Sequence, residues 1–196
     1  MKILIAGIGN IFLGDDAFGV EAARLLMRGS LPEPMPACVS IMDAGIRGLD
    51  LTYALMDDYD AFILIDAVPR GEAPGTLYRM EIDPASIEEA PIDALSVDAH
   101  ALDPLRVLQT VKAMGGAPKR VLLIGCEPQP LNEDEQFEGR MGLSPSVEAV
   151  LPAAVEMTRS LVSAILKEAG NERQETVETS RDRGCRDADG YAVAGH

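Results

Sequence analysis

The sequence predicts an α/β fold: a three-layer α/β/α sandwich with a mostly parallel twisted sheet of about five strands, one of them antiparallel. Three observations lead there. Short aliphatic runs at residues 2–6, 61–68 and 120–125 have the length and near-continuous apolar character of buried parallel strands. Helical stretches separate them, as the crossover connections of a parallel sheet require. A further run, residues 76–82, alternates apolar and polar side chains, the pattern of an edge or antiparallel strand.

Taken in order, the first strand leads at once into Gly7-Ile8-Gly9, where the backbone turns and can approach whatever lies above it. Asp15 and Asp16 then precede an amphipathic helix over 17–26. Carboxylates are the ordinary capping choice at a helix N-terminus, which accounts for one of the two. The pair together stands beyond a glycine-rich turn at the carboxyl end of a first strand, where open α/β sheets place their ligands. A proline-rich connection, 29–36, leads to a second strand at 38–42, closed by Asp43-Ala44-Gly45, and residues 49–56 read as a helix.

Strand 61–68 is the most apolar and therefore central, with Asp66 at its end. After the turn at 69–75 and the alternating strand, residues 83–104 are irregular and acidic and contain Ser96-Val97-Asp98-Ala99-His100. A helix over 105–114 stops at Gly115-Gly116, and the strand at 120–125 ends in Cys126-Glu127-Pro128. The acidic loop 129–142 has the length of a functional surface or a lid. Ser144-Pro145 opens a last helix, with proline in its first turn, that runs to about Leu166. Residues 1–166 thus read as one domain. From 167 to 196 aliphatic residues nearly vanish, and the expectation is a disordered charged tail.

Composition narrows the function. The chain has 196 residues, of which 32 are Asp or Glu against 17 Lys or Arg, for a formal net charge of -15. So acidic a surface argues against nucleic acid or an anionic membrane as partner, because the cations that neutralise phosphate are missing. No segment is expected to reach the apolar length that spans a bilayer. Cys38, Cys126 and Cys185 are scattered without zinc-like spacing, which points to a reducing cytoplasm.

Outside the tail, His100 is the sole histidine. A lone histidine is as often structural as catalytic, but this one lies in an irregular acidic stretch rather than on an apolar face. Asp16 and Asp66 each end a separate strand unit, and sheet topology can bring such ends to one edge. Two carboxylates and an imidazole make a mixed set able to hold a divalent transition metal with positions left open. No local signature such as His-Glu-x-x-His accompanies them, so spacing by itself is a weak signal. Cys126 follows a buried strand and reads more readily as a small hydrophobe than as a nucleophile. Gly7-x-Gly9 with Asp43 after the second strand mimics a dinucleotide fingerprint, yet Phe12 holds the third glycine position. Two carboxylates where a pyrophosphate would rest repel it.

The stretch Gly-Ile-Gly-Asn-Ile-Phe-Leu-Gly-Asp-Asp-Ala-Phe-Gly-Val at 7–20 resembles the opening of the hydrogenase maturation endopeptidases. Ile-Leu-Ile-Asp66-Ala-Val is similar to that family's second motif, and Ser96-x-x-x-His100 to its histidine motif. Leu123-Ile-Gly-Cys-Glu-Pro128 and Gly142-Leu-Ser-Pro-Ser-Val-Glu148 resemble its last strand and final helix start. The resemblance covers about residues 1–166, in one order throughout. It implies a metal-dependent endopeptidase that removes the C-terminal extension of a nickel–iron hydrogenase large-subunit precursor. It places Asp16, Asp66 and His100 on the family's catalytic, metal-contacting positions. The metal it implies is nickel supplied by the substrate, with zinc or cadmium able to substitute in vitro.

Asp43, Gly45 and Arg47 are expected to contact substrate. The family's turn there commonly reads Asp-Gly-Gly-Thr, so this chain lacks the hydroxyl and adds an arginine. Arg47 either pairs with a carboxylate of the large subunit or its extension, or is a solvated surface residue. The expected protein is a cytoplasmic monomer without nucleic-acid or membrane partners. The rival expectation is a non-catalytic metal- or nucleotide-binding module that assists hydrogenase or redox-protein assembly.

Overall fold

The computed structural model describes residues 1–28, 34–88, 103–116, 118–130 and 141–186. Five strands form one sheet in the order β2-β1-β3-β5-β4: β1 (Ile3–Ile8), β2 (Val39–Gly45), β3 (Ala61–Ala67), β4 (Leu77–Ile82) and β5 (Arg120–Cys126). β1 pairs in parallel with β2 and β3, and β3 in parallel with β5. β4 runs antiparallel to β5 at the edge, from Leu77 opposite Cys126 to Ile82 opposite Val121. The alternating pattern thus marked both the edge and the reversed direction. β1 is buried along its whole length and β3 over its first five residues, as strands covered on both faces must be.

Helices cover both faces. α1 (Phe18–Met27) joins β1 to β2 and packs on β1, β2 and β3. On the other face, Leu4, Ala6, Phe62, Leu64, Val121 and Leu123 share a core with Leu51 and Leu55 of α2 (Gly48–Leu55) and Val107, Leu108 and Val111 of α3 (Pro104–Ala113). Because side chains alternate along a strand, Ile3, Ile5, Ile63, Ile65, Leu122 and Ile124 fill the opposite face, each at most 1% exposed. Each such side chain contributes roughly 2 kcal/mol by leaving water. Asp103 caps α3 by accepting the Leu105 N–H at 2.9 Å, with Pro104 in the first turn.

The chain divides into two compact units, Met1–Arg159 and Ser160–His196. The first holds the sheet, α1 to α3, the short α4 (Pro145–Glu148) and the start of α5 (Leu151–Arg186). The second, over its described residues, is the remainder of α5. The helix therefore continues to Arg186, past the residue 166 at which the sequence pattern ended it. Glu, Arg, Gln and Lys are good helix formers, and a solvated helix needs no apolar stripe. Pro145–Asn171 is, by length and composition, apolar enough to cross a membrane, with a mean hydropathy of 1.4. This corrects the expectation that no segment reaches that length. Its Val147, Ala154 and Val155 are nonetheless buried in the first unit, as in the core helix of a globular domain.

Candidate active site

The strand order fixes where a site can form. β2 lies on one side of β1 and β3 on the other, so the crossovers diverge between β1 and β3. A crevice opens outside the carboxyl ends of strands at such a switch point. Gly7 there pairs with Asp43 on β2 and with Ile65 on β3, and Asp66 follows on β3 opposite Gly125 of β5.

The glycines serve the packing that delivers Asp16 to this crevice. A Cβ on Gly7 would stand 1.9 Å from the Gly19 carbonyl oxygen, and one on Gly19 would stand 2.1 Å from that of Ile65. The first turn of α1 is therefore seated directly on the backbones of β1 and β3. Gly9, at φ 129°, is closed off in the same way, since its Cβ would lie 1.7 Å from the Asp16 carbonyl oxygen.

Asp16 lies in a 3-10 turn, Gly14–Ala17, and accepts the Asn10 N–H at 2.5 Å. Neither it nor Asp15 caps the helix through its side chain, contrary to the capping expectation. Burial raises the Asp16 carboxyl above the usual carboxylate range, against the opposing pull of the Asn10 N–H. Asp66 is pushed up to about 8, by burial first and then by the charge of Asp16, while a hydrogen bond from the Ala67 backbone opposes the shift. The charge of Asp16 reaches Asp66, and with no cation beside them among the described residues Asp66 keeps its proton near neutral pH. His100 and the whole Ser96–His100 motif lie outside the described residues. Among the described residues, no group of three His, Cys, Asp or Glu side chains forms a metal-binding set. Two of the three expected ligands are thus neighbours.

The expected substrate residues also meet. Asp43, Gly45 and Arg47 line a cleft of about 230 Å³ with Asn10, Phe12 and Arg24. Asn10 is the residue whose N–H holds Asp16, so the cleft shares a wall residue with the turn that carries it. Arg24 fixes the Asp43 carboxylate at 2.9 Å and Glu21 at 2.7 Å. An aspartate already engaged by an arginine is a poor ribose ligand, which weakens the nucleotide-binding alternative. Arg47, 55% exposed, pairs with Asp50 at 3.1 Å and donates to the Asp43 carbonyl oxygen. It braces its own turn while its flank faces the cleft.

Three side chains around the pair had no reading as site supports in the sequence. Asp15 is 5% exposed and accepts from Ser144 N at 2.5 Å, Ser144 Oγ at 2.8 Å and Gln129 N at 2.8 Å. Tyr78 lies over Gly125, which is opposite it in register, and donates its hydroxyl to the carbonyl of Val68, just past Asp66. The contact depends on the register of β4 on β5, which no local sequence pattern sets. Glu127 accepts from the backbone N–H groups of Arg70 at 2.7 Å and Gly71 at 3.1 Å, shaping the loop after β3. Cys126 is buried, and its thiol is pushed up to about 12, by burial first and then by Asp15 and Glu127. It is therefore no nucleophile at neutral pH.

The family model for HycI, described as hydrogenase maturation protease, matches residues 20–160. The hydrogenase 2 maturation protease of Escherichia coli K12 is 34% identical over 174 residues, covering 88% of this chain and 94% of that protein. The hydrogenase expression/formation protein HupD of Rhodobacter capsulatus is 33% identical, covering 81% and 72%. Among solved structures, the hydrogenase maturating endopeptidase HybD of E. coli superposes with a TM-score of 0.61 at 31% identity, covering 87% of this chain and 94% of that one. A hydrogenase 2 maturation peptidase from a Thaumarchaeota archaeon gives 0.60 at 29%, covering 83% and 99%. With fold and overall sequence in agreement across most of its length, the chain belongs to the hydrogenase maturation protease family.

Proposed function

We propose that this protease removes the C-terminal extension of a nickel–iron hydrogenase large-subunit precursor after nickel insertion, and that Asp16, Asp66 and His100 contact the nickel the substrate carries. The observation that carries the reading is the Asp16–Asp66 pair at the switch point, with Asp66 pushed up to about 8 and no counter-cation among the described residues. Such a pair keeps a proton where a cation would otherwise be. A divalent ion brought by the substrate displaces that proton and lets both carboxylates ionise. The chemistry of two carboxylates and an imidazole suits nickel, and zinc or cadmium would substitute in vitro.

Substrate lies along the cleft beside Asn10, where Asp43, Gly45 and Arg47 read it. In this reading the protein works as a cytoplasmic monomer on a protein partner. The test is mass spectrometry of the cognate precursor incubated with the protein, with and without nickel loaded. Loss of one C-terminal peptide from the nickel-loaded form alone, absent with His100→Ala, is the expected result. Cleavage of nickel-free precursor at the same rate would remove the nickel contact from the reading. No cleavage of loaded precursor would remove the substrate.

A further inference from the structure

We infer that Asp15 is a positioning residue for processing: its buried carboxylate ties the turn that carries Asp16 to Gln129 beyond β5 and to Ser144 before α4, and so aims Asp16 beside Asp66. The inference rests on the reading that Asp16 acts at the site.

The geometry is specific. One carboxylate oxygen of Asp15 accepts the Ser144 backbone N–H, and the other accepts the Ser144 hydroxyl and the Gln129 backbone N–H. All three bonds span more than a hundred residues of chain and leave Asp15 5% exposed. Ser144 sits at the start of α4, yet its hydroxyl makes no bond to the helix and is spent on Asp15 instead. Asp16, the next residue, accepts the Asn10 N–H instead. The direction of the Asp16 side chain is therefore set from two sides: by Asn10 at its own carboxylate, and by Asp15 at the backbone one residue earlier.

A carboxylate offers acceptors only, whereas the amide of asparagine presents an oxygen and an NH2 group. Asp15→Asn would keep the volume but turn at least one of the three contacts into donor against donor. The 3-10 turn must then shift, and Asp16 with it. A displacement of about 1 Å in a reacting constellation costs on the order of 100-fold in rate.

The experiment is steady-state processing of the nickel-loaded precursor by Asp15→Asn, Ser144→Ala and Asp16→Asn, well below each variant's melting temperature. For folded Asp15→Asn, kcat should fall roughly 10- to 100-fold with KM changed by less than about 2-fold. A purely structural Asp15 would lower the melting temperature and leave kcat of the folded enzyme intact, and that result overturns the inference. If Asp15→Asn does not fold, Ser144→Ala decides. It removes one hydroxyl bond and keeps both backbone donors, so kcat should fall by about 3- to 10-fold at constant KM. Unchanged kcat there overturns the inference as well. Asp16→Asn separates the two levels. Full processing by that variant defeats the reading of Asp16 itself, whereas loss in Asp16→Asn with wild-type kcat in Asp15→Asn defeats the positioning role alone.

Discussion

An aspartate stands at each end of β3, and the fold treats the two in opposite ways. Asp60, just before the strand, accepts the Lys2 N–H at 2.9 Å and pairs with Lys119 at 2.6 Å, with the terminal amine at 3.8 Å. Its carboxyl is held below the usual carboxylate range, chiefly by Lys119 and then by the Lys2 N–H. Asp66, at the strand's other end, is pushed up to about 8 by burial and by another carboxylate. One residue type on one strand thus serves stability at the amino edge and is held at a cost to stability at the carboxyl edge. Folding alone gives no reason to place Asp16 against Asp66. Uncompensated charge of this kind gathers where a protein meets its ligand.

Substitution should separate the two ends most strongly in activity. Asp66→Asn is expected to lower kcat/KM for the nickel-loaded precursor by on the order of 10³ or more, whereas Asp60→Asn leaves it unchanged. Equal losses in the mass-spectrometric assay would erase the contrast. The next effect is on stability and has the opposite sign at the two ends. Because the folded state holds the Asp66 proton up to about pH 8 and the unfolded chain releases it near the ordinary carboxylate value, the native state binds more protons across that window. Stability is therefore lost as pH rises through it.

Asp66→Asn should remove that cost, gaining on the order of several kcal/mol at pH 9 and little near pH 4. Urea denaturation at the two pH values measures it, and a pH-independent difference would mean that Asp66 is not held protonated. Asp60 contributes in the other sense: its stabilisation is present above the ordinary carboxylate value and disappears on acidification. The smallest effect is expected for Lys119→Ala, a slight fall in melting temperature at low salt that vanishes in molar salt, as for any exposed ion pair. A large, salt-insensitive fall would show the amino edge to be more than a surface pairing.

Much of this was legible in the sequence, and the reasons are local. Aliphatic runs of strand length gave β1, β3 and β5, and alternation in 76–82 gave the antiparallel edge. The position of Asp66 at the end of the most apolar run makes it a candidate, and the structure sets it within reach of the charge of Asp16. Asp15 and Asp16 looked alike as helix caps, because capping is a short-range rule and the two differ only in what they reach. Asp16 faces a strand that begins far downstream, and Asp15 faces a serine that precedes α4. No local pattern carries either fact. Tyr78 over Gly125 was recoverable only once the register of β4 on β5 was known. The loss of the apolar stripe after residue 166 does not end α5, which continues to Arg186 because the residues there favour helix.

The seating of Gly19 on the carbonyls of Ile8 and Ile65 also bears on how the protein is made. Asp16 belongs to the first crossover and Asp66 to the strand that ends the second, so they become neighbours only after β1, α1, β2, α2 and β3 have assembled. A half-synthesised or unfolded chain carries both aspartates and yet no carboxylate pair. If the pair acts as proposed, the site comes into being only with tertiary closure.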